Sequence, residues 1–94
     1  MSKQDVYIAK MKLQLDELNL EVKKLEIKAM EARADAKDKV EEEMVKLRHQ
    51  SKLASDKLDE VKAAAEGSWH KMVSEMEKLR DAFTHSFSYF KSQL

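Results

Sequence analysis

The chain has 94 residues, 38% of them charged and 6% aromatic, with one glycine, no proline and no cysteine. That leaves too little apolar material for a large core and too few turn residues for a compact β or α/β domain, and it matches the make-up of long helices and coiled coils. The 18 basic and 18 acidic side chains cancel, which argues against a duplex nucleic-acid binder, and the lack of cysteine removes disulfides, thiolate metal sites and cysteine nucleophiles.

The opening MSKQDVYIAK lacks the apolar stretch of a secretory signal, and no run has the ~18 apolar residues of a membrane span. The expected address is cytoplasmic. From there the apolar residues recur at spacings of four and three. Ile8, Leu15, Val22, Ala29 and Ala36 occupy heptad position a, and Met11, Leu18, Leu25 and Ala32 occupy d. A seam of this length without a polar residue is a specific signal for helix-on-helix packing.

A second apolar row accompanies the first. Val6, Leu13, Leu20, Ile27 and Ala34 recur every seven residues at position f, opposite the seam. A two-stranded coiled coil leaves f in water, so this row would stand as an exposed ridge unless another helix covers it.

Beyond Ala36 the spacing slips to Val40, Met44 and Leu47, and heptads resume through Ser51, Ala54, Leu58, Val61 and Ala65. Such a slip is either a stutter in one continuous helix or a change of helix. The slip segment DAKDKVEEEM holds neither Gly nor Pro, and Asp35–Lys39 and Glu42–Lys46 are supportive i,i+4 pairs. A single helix from about residue 4 to 66, ~95 Å long, is therefore expected. The alternative splits it near Asp38, where Asp38 and Glu41 have capping-box spacing, and gives a three-helix bundle.

A second slip, Val61–Ala65–Trp69–Met72, coincides with Gly67, and Ser68 is suited to cap a new helix. A break is expected at Gly67, with a second helix over about residues 68 to 91 of one helical domain. Five of the six aromatics fall in that helix. Trp69, Met72, Met76, Leu79, Phe83, Phe87 and Phe90 share one face, flanked by Val73 and Ala82. Packing against protein is the expected use of this face. Reversible binding to a lipid surface is the alternative, although Lys71, Lys78, Arg80 and Lys91 are nearly balanced by Glu75, Glu77 and Asp81.

Sites for chemistry are scarce. His49, His70 and His85 stand apart, each without a second His or Cys at helical ligand spacing, so Glu66–His70 and Asp81–His85 read as surface pairs. Glu41, Glu42 and Glu43 point about 100° apart on a helix and cannot converge on one cation. No Ser–His–Asp order or phosphate-binding glycine loop is present. The chain is expected to be no enzyme, with no cofactor, metal or small-molecule substrate identified.

The segments YIAKMKLQLDELNLEV (7–22), LEIKAMEARADAK (25–37) and KLDEVKAAAEGSW (57–69), with the apolar C-terminal helix, resemble a family of short bacterial coiled-coil proteins. Some of these are labelled stress-response proteins. The resemblance implies a small cytoplasmic helper in stress tolerance and supplies no catalytic residues. A helix folding back from Gly67 would reach only to about residue 42, short of Leu13 to Ile27. A homo-oligomer is thus expected, held by Ile8, Met11, Leu13, Leu15, Leu18, Leu20, Val22, Leu25 and Ile27 together with the aromatic C-terminal face.

Overall fold

The computed structural model describes residues 2–31 and 37–93, which form three α-helices and no strand: α1 (Lys3–Ala29), α2 (Lys37–Ala63) and α3 (Trp69–Gln93). A short 3-10 turn, Glu66–Ser68, joins α2 to α3. The expected positions Ala32, Ala34 and Ala36, and Asp35 of the Asp35–Lys39 pair, lie outside the described residues.

The fold is all-α, and of the two arrangements the sequence allows it is the three-helix bundle. The molecule measures 51 × 20 × 17 Å, about half the length of the rod that one helix over residues 4 to 66 would make. Helices α1 and α2 instead pack side by side. Asn19 meets Ser51, and Glu26 meets Arg48, so α2 runs antiparallel to α1. Lys57 meets Glu75, so α3 turns back along α2, while Gln14 meets Arg80, which places α3 parallel to α1. The slip after Ala36 is therefore a change of helix. On one continuous rod the seams Met11–Ala29 and Met44–Val61 would both face water; folding them onto each other removes both from it.

Local signals explain the ends of the helices. Ser2 Oγ accepts from the Asp5 N–H at 3.1 Å and caps α1, with Asp5 itself in the first turn. At the other end the Met30 N–H reaches the Glu26 carbonyl and the Glu31 N–H the Lys28 carbonyl, both at 3.1 Å. The last turn thus tightens from i−4 to i−3 bonding without glycine. The pair Glu42–Lys46 is replaced by Glu43–Lys46 at 3.3 Å.

The second break includes Gly67, but the glycine plays a smaller part in it than expected. Helix α2 stops at Ala63, Ala65 is extended, and Gly67 sits inside the 3-10 turn with a negative φ. A Cβ on Gly67 would touch nothing within 4 Å. Ser68 Oγ donates to the Ala65 carbonyl at 3.2 Å instead of accepting from the first turn of α3. The glycine is tolerated there, and the reversal does not depend on it.

The seams assigned from the sequence form the core. Met11, Leu15, Val22, Leu25 and Ala29 of α1 are buried against Met44, Leu47, Ala54, Leu58 and Val61 of α2. Met76, Phe83, Phe87 and Phe90 of α3 complete the core, with Ile8, Leu18, Val40, Trp69 and Met72 half-buried around it. Ser51, the polar position of the α2 seam, donates to Asn19 Oδ1 at 2.5 Å. Both residues are half-buried, so a shifted register would strand two polar groups and cost ~1–3 kcal/mol for each one left unpaired. Tyr7 and Trp69 pack edge to face, ring centres 5.7 Å apart.

Lys57 bridges Glu75 at 2.8 Å and also pairs with Glu60 on its own helix. Its hydrogen bonds to Glu60 and Glu75 raise the ammonium pKa above the usual lysine range, and the bond from Lys57 lowers that of the Glu75 carboxyl. The carboxyl's contribution to stability is complete above the ordinary carboxylate range and is lost as pH falls through its depressed folded value. The ammonium's contribution is complete below the ordinary lysine range and is lost as pH rises through its raised value.

Two outcomes follow for thermal melts followed by circular dichroism. Gly67→Ala should leave the melting point unchanged or raise it, with stability up by at most ~1 kcal/mol, because the substitution lowers the entropy of the unfolded chain; a clear drop would show that the turn requires glycine. Glu75→Gln should melt below wild type at pH 7, and the difference should shrink as pH falls through the carboxylate range. A difference that stays constant down to strong acid would mean the Lys57–Glu75 pair contributes nothing.

Candidate self-association surface

With the seam of α1 satisfied inside the chain, the second row remains uncovered. Leu13, Leu20 and Ile27 are 59%, 55% and 66% exposed, whereas Leu15, on the opposite face, is 3% exposed. Val6 is also exposed, at the start of the same row. The row lies opposite the seam because seven residues return a helix almost to the same angle, and position f stands half a turn from the a and d positions. The helices that pack on one side of α1 cannot reach it.

Charged rows flank the apolar one. On one side run Ala9, Asp16, Lys23 and Met30, on the other Lys10, Glu17, Lys24 and Glu31, all of them exposed. Met30, at 83% the most exposed large apolar side chain described, was not among the residues expected at a contact. Its signal was available, since Ala9 and Met30 are the apolar members of a row that also returns every seven residues. Asp16 pairs with Lys12 and Lys24 with Glu21, each at 3.1 Å on the exposed helix surface. Exposed pairs of this kind are weak and exchange partners readily.

The remaining residues expected at an association surface are placed differently. Met11, Leu15, Val22 and Leu25 are buried inside the chain, and Ile8 and Leu18 pack at the edge of that core. On α3, Met76, Phe83, Phe87 and Phe90 point into the bundle, Trp69, Met72 and Leu79 are half-buried, and Tyr89 is an aromatic left outside. The structure therefore brings the aromatic face and both seams together within one chain and sets Leu13, Leu20 and Ile27 apart from them.

Among the described residues no group of three His, Cys, Asp or Glu side chains is placed to hold a metal ion, and no helix is long and apolar enough to cross a membrane. All three histidines are exposed. A groove between α1 and α3 is open and lined by Gln14, Glu17, Leu18, Glu21, Arg80, Asp81 and Thr84. Arg80 is held there by Gln14 at 3.2 Å and Asp81 at 3.0 Å.

No protein-family model matches the chain, and neither a curated protein nor a solved structure matches it.

Two neighbouring leucines of α1 should respond in opposite ways. At concentrations where the chain is monomeric, Leu15→Ala should cost ~2–5 kcal/mol as a buried cavity. Leu13→Ala should change stability by no more than ~0.5 kcal/mol as an exposed site. Urea titrations of the two variants measure this, and similar losses in both would place Leu13 in the core.

Proposed function

We infer that the chain is a non-enzymatic structural or interaction protein that associates with further copies of itself through the outer face of α1. The observation that carries this reading is the exposure of Leu13, Leu20 and Ile27 in a continuous row on a chain whose other apolar rows are already packed. Solitary exposed apolar residues are ordinary on protein surfaces, but an aligned row of large ones marks a contact. A cytoplasmic role in stress tolerance is the setting we propose for it, on the strength of the resemblance to short bacterial coiled-coil proteins.

The balance of charges supports a protein partner. Acidic and basic side chains alternate beside the row, whereas a helix that lies on anionic lipid carries a cationic polar face. The aromatic face of α3, the other route to a lipid surface, is occupied by the core.

Sedimentation at micromolar concentration should give a mass of at least two chains. Leu20→Asp should reduce it to one chain with the helical circular dichroism intact, because Leu20 is more than half exposed in the single chain. A wild-type protein that sediments as a monomer, or an assembly that survives Leu20→Asp unchanged, would overturn the reading.

A further inference from the structure

We propose that the partner on this face is one second copy of the chain, lying antiparallel along α1 with a two-fold axis at Leu20. The proposal rests on the self-association inferred above and specifies its geometry. Its basis is how the charges beside the apolar row are ordered.

A two-fold axis perpendicular to two neighbouring helices reverses their direction but keeps each flank on its own side. Centred on Leu20, it sets Leu20 against Leu20 of the second copy and Leu13 against Ile27. On one flank Asp16 then meets Lys23 of the second copy, and Ala9 meets Met30. On the other flank Glu17 meets Lys24 of the second copy, and Lys10 meets Glu31. Heights along the axis agree to within about one residue, ~1.5 Å. Every charged position thus faces its opposite, and the two apolar flank residues face each other.

Other registers fail on the same residues. An axis between Leu13 and Leu20 sets Asp16 against Asp16, Glu17 against Glu17 and Lys10 against Lys24. An axis at Leu13 sets Lys3 against Lys24, puts Ala9 beside Asp16, and leaves Ile27 without a mate. A parallel pair in register holds the acidic band of Asp16 and Glu17 level with its own copy, and the band of Lys23 and Lys24 likewise. Like charges held together at an interface are selected against. The pairing at Leu20 therefore gives the dimer its direction as well as its contact.

The absence of cysteine makes the test direct, since a single introduced thiol has no competitor. Leu20→Cys should form a disulfide-linked dimer under mild oxidation. Leu13→Cys alone and Ile27→Cys alone should not, because in the antiparallel pair each lies ~21 Å along the axis from its own copy, well beyond disulfide reach. A mixture of the Leu13→Cys and Ile27→Cys proteins should cross-link. In a second arm, Glu17→Lys should weaken dimerisation roughly tenfold, as two pairs turn repulsive, and adding Lys24→Glu should restore it. Self-linking of Leu13→Cys as readily as Leu20→Cys would show a parallel pair and overturn the geometry while leaving self-association standing. A dimer by sedimentation in which Leu20→Cys does not link would do the same. Monomers by sedimentation, with no link in any variant, would remove both the geometry and the self-association.

Discussion

The constraint on which the molecule depends is that α1 is apolar on two opposite faces, while its own chain can cover only one. The face toward α2 and α3 is closed by close packing of side chains from all three helices, with Leu47, Met76, Phe83 and Phe90 scarcely touched by water. Each such side chain contributes ~1.5–3 kcal/mol relative to exposure. Helices of 25 to 27 residues become a defined bundle in this way, because helices in proteins draw most of their stability from tertiary packing of an apolar face rather than from propensity. The outer face receives no such contribution. Its alignment with the helix axis follows from the same heptad repeat that built the core.

Polar contacts decide direction and register more than they add stability. The Ser51–Asn19 hydrogen bond sits where a purely apolar seam would let α2 slide along α1 by a heptad. The Arg48–Glu26, Lys57–Glu75 and Arg80–Gln14 contacts mark the same alignment from the surface. Screened and partly exposed, such pairs contribute little each. Their value lies in the alternatives they exclude.

The core was legible in the sequence because burial on a helix has a period, and a period survives without knowledge of the partner. Met11 through Ala29, Met44 through Val61 and Met76 through Phe90 are all positions that the spacing singles out. The reversal after Glu31 was not legible. Helices normally announce their ends with Gly, Asn or Pro, yet α1 ends by tightening its last turn, and α2 begins without a glycine nearby. The register slip at Val40 marked the place but not its nature, since a stutter and a turn leave the same trace in a list of apolar positions. Conversely, Gly67 gave a signal stronger than its role: it lies in a turn that any residue could occupy. The outer row was legible, its flanks less so, because charges at helix surface positions carry meaning only once the facing surface is known.

The magnitude of the outer row bears on how it works. Leu13, Leu20 and Ile27 are each already between about a third and a half covered by their neighbours, so pairing two copies would recover only part of their full transfer free energy. At ~1 kcal/mol per side chain over two copies, the gain is of the same order as the ~4–15 kcal/mol cost of association. A contact of that size forms and dissociates with concentration, unlike the core, which forms with the fold. That near balance also gives the order of charges its weight in the proposed dimer. Where apolar burial only about matches the cost of association, a few matched pairs would decide whether copies meet, and a few mismatched ones would be enough to prevent it. In such a dimer, residues too weak to hold a bundle together would thereby be strong enough to choose its partner.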